Sequence, residues 1–280
     1  VPHRAVNGTH LWVEDTGGDR PPVVFSHGLL WSARLFDPQV AALRGRYRCV
    51  SYDHRGQGLS APAPGRGAVT IEQCYADLEA LVDQLGAGPV HVVGLSMGGF
   101  VGMRLAARRP DLVRSLALVD TSADPEPAAN RPRYRRLATA VRWLGVRPVA
   151  DRVMPIMFGR TFLTDPARAA DRALWRARLL ENRRDVWRAV HGVIDRPGVT
   201  DELGRITAPT LVVVGDEDVA TVPAKAARIA AAIPGARLTR VPGAGHSSTV
   251  EQPARVTALL AEFLAEVEAS RAHARPGTGT

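Results

Sequence analysis

Six short apolar runs, each closed by a serine, aspartate, glycine or proline, constrain this chain more than any other feature. Val23-Val24-Phe25 runs into Ser26-His27-Gly28, Tyr47-Arg48-Cys49-Val50-Ser51-Tyr52 into Asp53, and Val90-His91-Val92-Val93 into Gly94. Leu116-Ala117-Leu118-Val119 runs into Asp120, Thr210-Leu211-Val212-Val213-Val214 into Gly215, and Arg237-Leu238-Thr239-Arg240-Val241 into Pro242. Runs dominated by Val and Leu suit strands covered on both faces, as in a parallel sheet. Helical stripes lie between them. Ile71, Tyr75, Leu78, Leu81, Val82 and Leu85 recur at helical spacing until Gly86 stops them. Met97 to Arg109 ends before Pro110, and Val256, Leu259, Leu260, Phe263, Leu264 and Val267 follow Pro253. This alternation predicts an α/β fold, a mostly parallel central sheet flanked by helices on both faces. Leu11-Trp12-Val13-Glu14, ahead of the alternation, reads as an antiparallel edge strand.

The alternation stops between about Asp124 and Gly204. No strand-like run occurs there; arginine-rich stretches with scattered Trp, Met and Phe are punctuated by Pro132, Pro148, Pro155, Pro166 and Pro197. That reads as a helical insertion between two strands. The expected division is therefore a core of residues 1–123 and 205–269, an inserted segment 124–204, and a disordered tail 270–280 of Arg, Ala, Gly and Thr. There is no internal repeat. A chain of 280 residues with 45% apolar and 23% charged residues has ample material for a buried core.

Charge narrows the partners. The 36 basic and 28 acidic residues leave +8, and all the basic residues except Lys225 are arginines. Between Asp124 and Thr200 there are sixteen basic and eight acidic residues, so the whole excess belongs to the insertion and the remainder is neutral. The plain reading is a solvated face of arginine-rich amphipathic helices; the functional one is attraction of an anionic substrate. No recognition motif accompanies the arginines, which argues against nucleic acid. No apolar run approaches the roughly 18–20 residues of a membrane span, and residues 1–10 lack the charged-then-apolar pattern of a secretory leader. Cys49 and Cys74 are too few for a disulfide framework or a cysteine zinc site. They read as buried free thiols of a reducing compartment, so a cytoplasmic location is expected.

The chemistry centres on Gly94-Leu95-Ser96-Met97-Gly98-Gly99, which follows an apolar strand and opens a helix. So tight a turn strains its middle residue and needs small neighbours, and it lifts the serine hydroxyl above the carboxyl end of the sheet. The helix N-terminus beneath it favours developing negative charge. A serine needs a base, and His246 in Gly243-Ala244-Gly245-His246 lies in a loop after the last strand. The base needs a carboxylate, offered by Gly215-Asp216-Glu217-Asp218 in the order serine, acid, histidine. Asp120 is a second possible acid. The turn His27-Gly28-Leu29 exposes the Leu29 N–H, which with that of Met97 can form an oxyanion hole, His27 serving as a brace.

These elements, in this order and over about residues 6–267, resemble the α/β-hydrolase fold superfamily in its serine-nucleophile branch. Tyr52-Asp53-His54-Arg55-Gly56-Gln57-Gly58-Leu59-Ser60, Val119-Asp120-Thr121-Ser122 and Gly243-Ala244-Gly245-His246-Ser247-Ser248 are similar to further loops of that family. The resemblance places the catalytic acid three residues after Gly215, at Asp218, and makes Asp53 and Arg55 a structural pair. Ser96 argues against the dehalogenases and epoxide hydrolases, which carry aspartate there. The resemblance turns the insertion into a helical cap over a pocket, with Leu30, Trp31, Met154, Phe158 and Trp187 as expected walls. It implies hydrolysis of a small carboxylic ester or lactone by Ser96, His246 and Asp218, with neither metal nor cofactor. Enol-lactone, carbon–carbon bond or perhydrolytic chemistry on the same triad, and a ligand-binding protein without turnover, are the alternatives. The oligomeric state stays open.

Overall fold

The computed structural model describes residues 2–274. Eight strands form one sheet in the order β1-β2-β4-β3-β5-β6-β7-β8. They are β1 (His3–Val6), β2 (Thr9–Asp15), β3 (Pro22–Ser26), β4 (Arg48–Tyr52), β5 (Val90–Leu95), β6 (Val113–Val119), β7 (Thr210–Gly215) and β8 (Arg237–Val241). β1, β2 and β4 pair antiparallel, and every pairing from β4 to β8 is parallel. All six apolar runs are strands. β3, β5 and β7 are buried at every position, which is why their sequences do not alternate.

Eleven α-helices accompany the sheet among the described residues. They are α1 (Asp37–Leu43), α2 (Ile71–Leu85), α3 (Met97–Arg108), α4 (Arg131–Leu144), α5 (Ala150–Met157) and α6 (Arg160–Thr164). Then come α7 (Ala169–Leu180), α8 (Trp187–Ile194), α9 (Pro223–Ala232), α10 (Ser248–Glu251) and α11 (Pro253–Ala274). α2 starts on a capping box between Thr70 and Gln73 and ends at Gly86, whose φ of 60° closes the helix at little steric cost. Between β6 and β7 the described chain is helical or irregular throughout. The helical insertion thus leaves the sheet at one strand and returns at its hydrogen-bonded neighbour.

Three expectations change. The edge strand is His3–Val6, and β2 lies one place inside it. With four residues and one buried, β1 carries too little apolar signal to be seen in advance. The expected tail is helical as far as Ala274, because α11 continues from its apolar stretch; residues 275–280 lie outside the described residues. Arg55 does not pair with Asp53. Its guanidinium grips the Asp77 carboxylate of α2, and Asp53 instead accepts the backbone N–H of Ala33 at 2.6 Å and of Leu59 at 2.7 Å. The loop after β4 is held to α2, to the segment after β3 and to itself.

Cys49 and Cys74 are buried free thiols, and burial pushes the Cys49 thiol up to about 11. No helix among the described residues is long and apolar enough to cross a membrane.

Candidate active site

The turn between β5 and α3 shows why its sequence is glycine-rich. Ser96 has φ 51° and ψ −111°, a conformation that a side chain occupies only under strain. A Cβ on Gly94 would lie 2.5 Å from the Gly98 carbonyl oxygen, and one on Gly98 would run into the carbonyl of Ser26. Glycine at both positions lets the strand and helix close on the serine. The Ser96 side chain is buried against the cavity above the sheet, with 7% of the residue exposed.

Two loops beyond the insertion meet it there. His246 Nε2 lies 2.8 Å from Ser96 Oγ, and His246 Nδ1 lies 2.9 Å from Asp218 Oδ2. Asp218 Oδ1 accepts the N–H groups of Ala220 and Thr221, both at 2.8 Å, and Oδ2 also accepts the Thr221 hydroxyl at 2.7 Å. These bonds fix the carboxylate so that its second oxygen faces the imidazole. They also set the tautomer, since an acceptor at Nδ1 favours the proton there and leaves Nε2 to accept from the serine. Burial pushes the Asp218 carboxyl up, but the imidazole and the hydrogen bonds outweigh it and hold it below the usual carboxylate range. Burial pulls the imidazole of His246 down, and the Asp218 carboxylate more than reverses this, so that it stays above the ordinary histidine value.

Asp120, the other acid at the end of a strand, spends both oxygens on backbone. Oδ1 accepts from Gly215 N and Oδ2 from Ser248 N, each at 2.9 Å. It ties the acid loop to the histidine loop without touching the imidazole. Burial, reinforced by the Asp218 charge, pushes its carboxyl up to about 7. Asp216 pairs with Arg240 at the surface, and Glu217 accepts from Thr161 N at 2.8 Å.

Two contributors had no signal in the sequence. Glu251, almost fully buried, accepts the N–H groups of Gly159, Gly245 and Ser247 at 2.8–3.0 Å. It thereby clamps the histidine loop to the insertion. Thr221 braces Asp218. Neither belongs to a short motif, since each acts on residues brought to it by the fold.

The Leu29 N–H has no hydrogen-bond partner among the described residues. The Met97 N–H is the first of its helix, where the helix itself supplies no acceptor. His27 is a brace: Nδ1 donates to Gly28 O at 2.7 Å and Nε2 accepts from His54 N at 2.9 Å. Burial pulls it down, consistent with a neutral ring.

Ser96 and His246 open onto a cavity of about 130 Å³. Its walls are mainly aliphatic, from Leu29 and Leu30 below and from Leu137, Val141, Val149, Val153, Ile156 and Val190 of the insertion above. Of the five expected walls only Leu30 is among its lining residues. Trp31 packs edge-on against Trp175 and tilted on Phe158, Phe158 stacks on Phe162, and Met154 joins the same core. Trp187 lies beneath the guanidinium of Arg142. Trp31, Phe158, Phe162 and Trp175 pack together outside the cavity, and branched aliphatics make up most of its wall. A volume near 130 Å³ accommodates a ligand part of roughly six carbon atoms, the size of an apolar cavity that takes benzene.

Known proteins share this arrangement of elements. The chain is 32% identical over 269 residues to a Mycobacterium tuberculosis protein named "Putative non-heme bromoperoxidase BpoC", covering 91% of this chain and 98% of that one. A thermophilic esterase from Thermogutta terrifontis superposes with a TM-score of 0.85 at 32% identity, over 95% of this chain and 97% of that one. The enol-lactonase from Burkholderia xenovorans LB400 superposes with a TM-score of 0.86 at 32% identity, over 94% of this chain and all of that one. The family model for the alpha/beta hydrolase fold matches residues 21–253. With sheet order, strand-to-helix turn and sequence in agreement, the chain belongs to the alpha/beta hydrolase fold family.

Proposed function

We propose that the protein is a serine hydrolase that cleaves a small carboxylic ester or lactone through an acyl-enzyme, with Ser96, His246 and Asp218 as its triad. The observation that carries this reading is the continuous contact from Ser96 Oγ to His246 Nε2 and from His246 Nδ1 to Asp218 Oδ2. His246 takes the Ser96 proton as Oγ attacks the carbonyl carbon. The carbonyl oxygen becomes an oxyanion held by the Leu29 and Met97 N–H groups, which are free to donate. The tetrahedral intermediate collapses, His246 gives its proton to the leaving alkoxide, and the acyl group stays on Oγ. Water then attacks the acyl-enzyme with His246 again as base, and the acid product leaves as Ser96 recovers its proton. Asp218 stays ionised throughout and stabilises the imidazolium.

The helical segment 124–204 serves as the cap in this reading. It supplies most of the aliphatic roof and leaves room for a short acyl group. The test is turnover of chromogenic acyl esters and labelling by a fluorophosphonate. Wild type should cleave short-chain esters and label at Ser96, and Ser96→Ala should lose both. Undiminished turnover in Ser96→Ala, or refusal of the probe by folded wild type, contradicts the proposal.

A further inference from the structure

The aliphatic cavity contains one ion pair, and that pair is only partly spent on the protein. Arg196, which follows α8, is 4% exposed and lines the cavity that holds Ser96. Its Nη1 makes both of its hydrogen bonds, to Val193 O at 2.6 Å and to Glu126 Oε2 at 3.2 Å. Nε is sealed from solvent and has no partner. The Nη2 amino group makes no hydrogen bond among the described residues, and the side chain lines the cavity.

The position of the guanidinium is set by packing. It lies on the ring of Phe100, 4.2 Å from the centroid. Phe100 N donates to Ser96 O, so the Phe100 backbone lies about one helical turn, roughly 6 Å of rise, along α3 from the serine. Tyr134 of α4 lines the same cavity, and no acceptor among the described residues takes its hydroxyl proton. The charges nearby leave a positive excess. Arg196, Lys225 and Arg228 face Glu126 and Asp124, with Arg228 paired to Asp124. Glu126 already accepts from Asn130 Nδ2 at 2.9 Å as well as from Arg196. A buried guanidinium with unspent N–H groups beside an apolar chamber is costly unless a ligand completes it.

We infer that Arg196 is the specificity-determining anchor for a carboxylate on the acyl part of the substrate, so that the substrate class is a short ester or lactone bearing a free acid group. The inference rests on the serine hydrolase reading for its chemistry. A carboxylate accepting from Nη2, with the Tyr134 hydroxyl as a second donor, neutralises the excess charge. The aliphatic walls take the three or four methylenes between the acid and the ester carbonyl at Ser96.

The experiment compares two p-nitrophenyl esters of matched shape. One carries glutarate as its mono-ester; the other carries 5-methylhexanoate, which has an isopropyl group in place of the free carboxylate. Wild type should prefer the glutarate ester at least tenfold in kcat/KM. In Arg196→Met that ratio should fall at least tenfold, in Arg196→Lys less, and in Tyr134→Phe severalfold. A ratio is unaffected by the fraction of variant that folds. Calorimetric binding of glutarate to Ser96→Ala supplies a readout without turnover, and adding Arg196→Met should weaken it at least tenfold. A wild-type ratio near one, or a ratio unchanged in Arg196→Met, overturns the anchor and leaves the hydrolase reading standing. If wild type cleaves neither ester and also refuses the fluorophosphonate, the hydrolase reading fails, and glutarate binding with and without Arg196 still decides the anchor.

Discussion

Replacing Asp218 by asparagine separates its role from that of Asp120 by a reversal of hydrogen-bond polarity. Oδ1 of Asp218 accepts two backbone N–H groups, which keep the asparagine carbonyl oxygen on that side. The new amide NH2 then occupies the Oδ2 position, facing the Thr221 hydroxyl and His246 Nδ1. A donor there cannot accept the Nδ1 proton, so the imidazole carries its proton on Nε2 and can no longer take one from Ser96. Loss of the correct tautomer in a Ser-His-Asp triad costs about 10⁴-fold, or roughly 5.4 kcal/mol of transition-state stabilisation. Asp120→Asn exchanges one of two backbone acceptors for a donor, at a cost of about 1–3 kcal/mol in stability, and leaves the imidazole untouched. The assay is the pre-steady-state acylation rate with a p-nitrophenyl ester, alongside the melting temperature. The expected pattern is near-complete loss of rate in folded Asp218→Asn, and a rate within about tenfold of wild type in a less stable Asp120→Asn. Refutation takes the reverse form: Asp218→Asn acylating within tenfold of wild type, or Asp120→Asn losing about 10⁴-fold while still folded.

Two further outcomes follow from the same geometry. The backbone at Ser96 is strained by about 1–3 kcal/mol, so Ser96→Gly should melt above Ser96→Ala, by about 2–4 °C for each kcal/mol released; equal melting temperatures contradict that strain. The imidazole must be neutral to act as base, and the Asp218 carboxylate holds it above the ordinary histidine value despite burial. The acid limb of the kcat/KM profile should therefore fall off at an apparent pKa above 6.5, activity being lost as pH drops through it, and Asp218→Asn should move the limb to lower pH; a wild-type limb at or below 6.5 contradicts this.

Much of the sheet was legible because a parallel strand buried on both faces leaves an unbroken apolar run, as Leu211 to Val214 of β7 do. α2 and α3 showed through their stripes and stops. α9 did not, because its buried positions are Lys225, Ala226 and Ile229, too small and mixed a set to make a stripe. β1 failed for the same lack of apolar contrast. Ser96, His246 and the Leu29 and Met97 amides proposed for the oxyanion hole sit in short motifs whose geometry is local. Asp218 could be chosen over Asp216 only through the resemblance, since both lie in one loop and differ in what the fold sets beside them. The pocket was the least legible part. A tryptophan and a valine in an amphipathic insertion carry no label for which face meets the serine, and here most of the large rings pack away from the chamber while aliphatics make up most of its wall. Arg55 taught the same lesson, because its partner Asp77 lies on a different element.

The return of the insertion to a neighbouring strand has an evolutionary consequence. β6 and β7 are adjacent and parallel, with Val119 opposite Val213, so the chain leaves at the carboxyl end of β6 and rejoins at Thr210, opposite Leu116 and three residues back along the sheet. Whatever is spliced between those two points has only to end in a crossover to the amino end of β7. In the proposed reading the nucleophile lies upstream of the splice and the acid and base downstream, on strands joined through the sheet itself. On that reading the roof can be lengthened, shortened or exchanged as a cassette while Ser96, His246 and Asp218 keep their register.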